Sequence, residues 1–196
     1  IGLLNDRLVG AHCIHLTEDD IARIGRSGLH VAHIPKGNAT GGTIAPTRRL
    51  VDAGAKLTLA TDNMHADMVE VLRWALCMGR VQTGKVDDSW QPEHMLHAAT
   101  EAGAAAMGLA GELGRIEAGY RADLVALDLR RPHLVPHNDP LGTMVHTGMG
   151  RDVSHVVVEG EIVVADGRPT RCDPDQVIRD GAAAAAALWQ RARAEA

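Results

Sequence analysis

The sequence predicts an α/β fold with parallel strands, followed by a β-rich unit and a helical tail. Short apolar segments alternate with helix-like segments through residues 8–60. Strand-like segments and turn signals dominate residues 112–170. Consecutive alanines at 182–187 predict the helical tail. Of the 196 residues 45% are apolar but only 2% are aromatic, so small aliphatic side chains must form the core.

The first predicted strand covers residues 8–14 and ends shortly before Thr17. Thr17 is a good N-cap because an acidic residue lies three positions later, so we expect a helix to begin there. That helix should end at Gly28, and residues 29–34 form a second predicted strand that Pro35 terminates. The result is a strand, a helix and a second strand in succession.

A loop is expected at residues 36–42, because its glycines permit unusual backbone angles. Pro46 should open a helix that ends at Gly54, and residues 56–60 form a third predicted strand. This alternation requires parallel pairing with right-handed crossovers, so the carboxyl ends of the strands share one rim. The polar side chains expected at this rim are His12, His33 and Asp62.

The rest of the chain is expected to be helical first and β-rich afterwards. The predicted helices cover residues 66–81, a segment starting at Pro92, and the alanine-rich stretch 101–109. Residues 122–128 have the pattern of a strand, and residues 156–164 predict a hairpin around a tight turn.

Composition excludes several classes of partner. The net charge is -5 and no basic stripe is present, which argues against binding of nucleic acid or an anionic membrane. No apolar run approaches the roughly 18 residues of a membrane span. The chain has three widely spaced cysteines, so neither a disulfide framework nor a thiolate zinc site is indicated and a reducing, cytoplasmic location is expected. The first residues lack an initiator Met and a signal peptide, so we expect the chain to begin inside a longer gene product.

Several separated stretches together resemble one enzyme family. They are AHCIHL at 11–16, VAHIPKGN at 31–38, LATD at 59–62, GRIEAGYRADLV at 114–125 and VVVEG at 156–160. In this order they are similar to atrazine-type chlorohydrolases, S-adenosylhomocysteine deaminases and cytosine deaminases, which are members of the amidohydrolase superfamily. Gly37 stands where that family usually has Ser.

The resemblance implies the fold class in more detail. Residues 1–110 would form the C-terminal portion of a (β/α)8 TIM barrel, with about strands six to eight and their helices. Residues 111–170 would form part of a small β-sandwich domain, and residues 171–196 a C-terminal helical tail. The N-terminal half of the barrel would be missing from this chain.

The resemblance also implies a metal site. The family binds one divalent metal, zinc or less often iron, through a His-x-His pair on the first strand, a His on the fifth and an Asp on the eighth. Only the last has a match here, Asp62, which would bind the metal and accept a proton from the metal-bound water. His12 matches the His of the sixth strand, which lies beside that water. His33, Asn38 and His65 are candidates for the substrate pocket.

We therefore expect a hydrolase in which a metal-bound hydroxide attacks a C–N or C–Cl carbon of an N-heterocycle, or an amide, carbamate or urea bond. The stretch DNMHADM at 62–68 departs from the Asp-Gly and small residues usual in such deaminases, which disfavours purine or adenosyl substrates. The expected partners are a small-molecule substrate, the missing N-terminal half and further copies in a homo-oligomer.

Two other classes of function stay open. The chain could be a non-catalytic structural half, or a degenerate relative that requires an N-terminal partner. It could also be a plain α/β binding module, which would bind no metal and close its fold alone. A His-x-His and a His-x-x-Glu motif encoded upstream would favour the enzyme.

Overall fold

The computed structural model describes residues 2–63 and 65–194. The chain divides into two compact units. The first comprises residues 1–121 and 129–152, and the second comprises residues 122–128 and 153–196. The domain boundaries near 110 and 170 that the resemblance implies for the complete protein stay a prediction.

The first unit is built on parallel strands. The described residues form a sheet of β1 (Val9–Ala11), β2 (His30–His33) and β3 (Lys56–Leu59), in the order β1-β2-β3. Both pairings are parallel, and Val31 of β2 lies opposite Leu57 of β3. The predicted parallel alternation of strands and helices is confirmed.

The crossover from β1 to β2 contains helix α1 (Glu18–Ser27). Thr17 and Asp20 form a reciprocal capping box at its start, which satisfies two backbone N–H groups that have no partner inside the helix. At its end Gly28 has φ +75°, a left-handed conformation that glycine adopts without a steric penalty. Both ends of α1 therefore lie where the sequence predicted them.

The crossover from β2 to β3 differs from the prediction. The loop expected at 36–42 is largely a short helix, α2 (Pro35–Thr40), which precedes helix α3 (Thr47–Asp52). The prediction was wrong because Pro35 occupies the first position of the helix, where its fixed φ favours helical geometry. The backbone N–H of Asn38 donates to the carbonyl of Ile34, which closes the first turn.

The remaining elements of the first unit pack outside the sheet. Helix α7 was not predicted. The helices are α4 (Met68–Thr83), α5 (Pro92–Ala99), α6 (Glu101–Ala106) and α7 (Pro140–Thr147). Two clusters of buried side chains lie among the described residues, one around Val31 and one around Leu76 and Trp90. Leu57 of β3 packs against both clusters, so the sheet and the helices share a continuous apolar layer.

The second unit is an antiparallel sheet with a long helix. The strands are β4 (Leu124–Leu127), β5 (Val153–Val158), β6 (Glu161–Ala165) and β7 (Arg168–Pro169), in chain order. Glu159 and Gly160 connect β5 to β6 and both have positive φ, as a tight hairpin turn requires. Helix α8 (Pro174–Ala194) follows, and no described residue of it is buried. The predicted hairpin is present, and residues 174–194 of the predicted tail are helical, whereas residues 195 and 196 lie outside the described residues.

Among the residues that the structure describes, no helix combines the length and the apolar character needed to cross a bilayer.

The contact between Gly79 of α4 and Trp90 gives a test of this packing. A Cβ at position 79 would overlap the buried indole ring, so we expect Gly79→Ala to lower the free energy of unfolding of the complete protein by about 1–3 kcal/mol. Gly181→Ala in α8 is the matched control because a Cβ there meets no atom within 4 Å. Chemical denaturation measures both, and equal stability of the two variants would contradict the packing described.

Candidate active site

The candidate active site lies at the carboxyl ends of the parallel strands. His12 directly follows β1, and Asp62 follows β3 after two intervening residues. His12 Nε2 lies 3.5 Å from Asp62 Oδ2. The two side chains are 41% and 33% exposed, so the pair is partly sheltered yet accessible to a small molecule. The predicted convergence of this imidazole and this carboxylate is present in the structure.

Asn38 of α2 completes the group. Its Oδ1 lies 2.8 Å from Nδ1 of His12, although the two residues are 26 positions apart in the chain. Asn38 is only 4% exposed, so its amide is shielded from solvent. The sequence placed Asn38 at the mouth of the pocket but gave no sign of this hydrogen bond.

The backbone around the pair is strained. His12 and Cys13 have φ of +63° and +49°, and Asp62 has φ of +61°. Non-glycine residues adopt this left-handed region at a cost of about 1–3 kcal/mol each, and such residues cluster at functional sites. The strain turns the chain sharply at each strand end, where a regular strand would continue straight.

Local contacts define which oxygen of Asp62 is available. Oδ1 accepts a hydrogen bond of 2.7 Å from the backbone N–H of Asn63, which leaves Oδ2 facing His12. Gly37 lies close by, since a Cβ at that position would be 3.8 Å from Oδ2. The same Cβ would be 2.8 Å from Cγ2 of Ile34, so this chain has no room for the Ser usual at that position unless Ile34 shifts.

An ion pair fixes the helix that carries Asn38. Lys36 Nζ lies 2.6 Å from Glu70 Oε2 and links α2 to the first turn of α4. The hydrogen bond from Lys36 lowers the pKa of Glu70 and outweighs the opposing effect of burial. Asp67 caps α4 by accepting from the backbone N–H of Glu70 and also accepts from that of Gly150. No local sequence pattern indicates this ion pair, because its partners are far apart in the chain.

The other two pocket candidates are not hydrogen-bonded to the pair. His33 is the last residue of β2 and only 1% exposed, and neither its ring nitrogens nor those of His65 have a partner among the described residues. Desolvation lowers the pKa of His33 from 6.5 to about 4, so the ring is neutral at pH 7. Their role in a substrate pocket stays a prediction.

The donor set fits part of a metal site. A carboxylate and an imidazole are both ordinary ligands of zinc, and the free Oδ2 of Asp62 is accessible. The described residues, however, contain no group of three or more His, Cys, Asp or Glu that could surround a cation. The described residues therefore supply some donors of such a site and lack a full set.

Comparison with known proteins decides the family. The sequence profile of the Amidohydrolase family matches residues 1–163. The chain belongs to the amidohydrolase family. It is 38% identical over 185 residues to a 5-methylthioadenosine/S-adenosylhomocysteine deaminase of Moorella thermoacetica. The match covers 90% of this chain and 42% of that protein.

Solved amidohydrolase structures agree with this membership. An adenosine deaminase from Xanthomonas campestris with bound zinc superposes with a TM-score of 0.85 at 27% identity, over 91% of this chain and 42% of that one. Atrazine chlorohydrolase from Arthrobacter aurescens, complexed with zinc, gives a TM-score of 0.80 at 26% identity, over 92% and 41% of the two chains. The chain therefore spans about two-fifths of the length of these relatives, and the predicted resemblance is confirmed.

Burial of His33 predicts a specific dependence of stability on pH. Its pKa is about 4 in the folded protein and near 6.5 when unfolded, so between these values only the unfolded chain takes up the proton. Stability is therefore lost as the pH falls from 6.5 towards 4, by up to about 3 kcal/mol from this residue. We expect His33→Leu to reduce that loss in urea unfolding at pH 7.5 and 5, with the exposed His97→Leu as control. An equal loss in wild type and His33→Leu would contradict the assignment.

Proposed function

We propose that the complete protein containing this chain is a metal-dependent hydrolase that deaminates an amino-substituted N-heterocycle. The observation that carries the proposal is the approach of His12 to Asp62 at the carboxyl edge of the parallel sheet. The adenosine-type deaminases among the relatives support this substrate class. The departure at residues 62–68 does not separate the chain from relatives that are named for adenosyl substrates.

We also propose that the parallel sheet is the final part of a (β/α)8 barrel and that β4–β7 are part of a β-sandwich. The order β1-β2-β3 leaves one edge of β1 and one of β3 without a strand partner among the described residues. Exposed edges of this kind are normally covered, and further strands would close the ring. The match to about 42% of a relative's length supports this completion.

Asp62 would hold the metal through Oδ2, and the His ligands would come from polypeptide outside this chain. A divalent cation, zinc by analogy with the relatives, supplies a water whose pKa is lowered to about 7 and which can therefore attack at neutral pH. His12 stands beside this position with Nε2 towards the carboxylate. The exposure of both side chains leaves room for a flat substrate above them.

The residues of this chain would then accept protons and orient the water and the substrate. With Oδ2 on the metal, Asp62 would accept the proton of the attacking water on a carboxylate lone pair that neither the metal nor the N–H of Asn63 uses. His12 hydrogen-bonds the attacking oxygen or the leaving nitrogen through Nε2. Water adds to the ring carbon, one of its two protons reaches the amino nitrogen, and the carbon–nitrogen bond breaks. Ammonia then leaves, and the second proton stays on the oxygen or a ring nitrogen of the product. The group that carries the proton from Asp62 to the leaving nitrogen would come from the missing half.

Hydrolytic dechlorination is the second candidate. The specific observation in its favour is the match to atrazine chlorohydrolase, with a TM-score of 0.80. The same attack on a ring carbon would expel chloride in place of ammonia, so one site geometry supports both reactions. A screen of 5′-substituted adenosines, cytosine and chlorotriazines with the complete protein separates them by release of ammonia or of chloride.

Removal of the carboxylate tests the metal role. We expect Asp62→Ala in the complete protein to lose bound divalent metal and to lower turnover on the order of 100-fold or more, since even supporting residues of such sites contribute 10- to 100-fold. Elemental analysis and steady-state kinetics measure the two effects. Asp88→Ala is the control because Asp88 is an exposed carboxylate far from the site in sequence, and it should change neither.

Unchanged metal content and turnover in Asp62→Ala would overturn the proposal. A complete protein that binds no divalent metal and lacks the upstream His motifs would favour the non-catalytic structural half.

A further inference from the structure

We propose that Asn38 is a positioning residue, whose side-chain oxygen accepts the Nδ1–H of His12 and so directs the Nε2 lone pair towards Asp62. The evidence is the 2.8 Å contact between Oδ1 and Nδ1 together with the 3.5 Å separation of Nε2 from Oδ2 of Asp62. The inference deepens the proposed function, and its catalytic consequence rests on that function. Its structural part concerns only residues of this chain.

The chemistry of the donor and the acceptor determines which nitrogen of His12 carries the hydrogen. An amide oxygen can only accept a hydrogen bond, so Nδ1 of His12 must carry the hydrogen in this contact. In a neutral imidazole the other nitrogen then has a lone pair and no hydrogen. Nε2 therefore faces Asp62 Oδ2 as one acceptor facing another, and the pair can hold a hydrogen donor or a cation between them.

Asn38 is itself held in place by hydrogen bonds of its backbone. The backbone N–H of Asn38 donates to the carbonyl of Ile34 at 3.0 Å. The backbone carbonyl of Asn38 accepts two hydrogen bonds from Thr43, one from the backbone N–H at 2.9 Å and one from the hydroxyl at 3.1 Å. The ion pair between Lys36 and Glu70 ties the same short helix to α4. With 4% exposure the amide has little freedom to swing away from His12.

The side-chain amide of Asn38 makes no competing hydrogen bond through its nitrogen among the described residues. Nδ2 of Asn38 has no hydrogen-bond partner among the described residues. A buried donor without a partner costs roughly 1–3 kcal/mol, a cost that a leucine of similar size would avoid. The side chain of Asn38 thus hydrogen-bonds to His12 through Oδ1. Amide and carboxylate groups commonly orient the histidines of metal sites in this way.

The opposite amide orientation predicts a different state. If Nδ2 donated to Nδ1, the hydrogen of His12 would lie on Nε2 and would point at Asp62. His12 would then donate a hydrogen bond from Nε2 to the carboxylate of Asp62. The two arrangements differ in the nitrogen that carries hydrogen, which ¹⁵N chemical shifts measure directly.

The experiment uses the complete protein, as purified and labelled with ¹⁵N-histidine, at pH 8. His12 is assigned from the signal that His12→Gln removes. We expect wild type to show hydrogen on Nδ1 and none on Nε2. Asn38→Leu should lose this signature, whereas Asn38→Asp should keep it because a carboxylate oxygen also accepts from Nδ1. Asn138→Leu, the same substitution at an exposed asparagine, should match wild type.

Kinetics give a second readout. We expect Asn38→Leu to lower kcat about 10- to 100-fold with a smaller change in KM, and Asn38→Asp to recover part of the loss. A purely structural role would lower the amount of folded protein and leave the kcat of the folded fraction unchanged.

The outcomes separate this inference from the proposed function. Hydrogen on Nε2 in wild type, or an unchanged His12 signature in Asn38→Leu, overturns the positioning role whatever the activity. If Asn38→Leu does not fold, the wild-type spectrum alone decides. A protein that shows hydrogen on Nδ1 but hydrolyses no candidate substrate refutes the proposed function and leaves the positioning of the ring intact.

Discussion

Parallel pairing of β1, β2 and β3 brings His12 and Asp62 together, because it sends the carboxyl ends of all three strands to one edge of the sheet. The residues are 50 positions apart in number, yet Nε2 and Oδ2 are separated by only 3.5 Å. The helices between the strands contribute by packing with Val31, which is buried, and with Leu57, which is partly buried. The site thus depends on a register that the apolar core fixes.

The sequence predicted those features that arise from local periodicity and from strand ends. Thr17, Gly28 and the hairpin turn at Glu159 act over a few residues, so their patterns are visible in the chain itself. Contacts over long separations gave no such signal. The hydrogen bond from His12 to Asn38 and the ion pair from Lys36 to Glu70 depend on tertiary packing, which no local pattern encodes. The short helix after β2 differs from the prediction because Pro35 favours helical geometry, whereas the glycines that follow it favour a loop.

Several features of the chain make sense together if further polypeptide completes it. Among the described residues, the outer edges of β1 and β3 have no strand partner, the donors are too few for a cation, and α8 buries no residue. A long helix that buries no side chain gains little stability from packing, and helix propensity alone is marginal in water. The chain spans about 42% of the length of a relative of its family, which is consistent with the proposed completion.

The left-handed backbone at His12 and Asp62 also restricts how this site can be altered by evolution or in the laboratory. Branched side chains are penalised there for steric reasons that have nothing to do with reactivity, so such replacements carry a cost in stability besides their effect on chemistry. Gly37 is free of that constraint on φ and lies against the carboxylate, limited mainly by the methyl group of Ile34. Combined substitutions at positions 34 and 37 would therefore admit substrates of new shapes at a lower cost in stability than substitutions of His12 and Asp62 themselves.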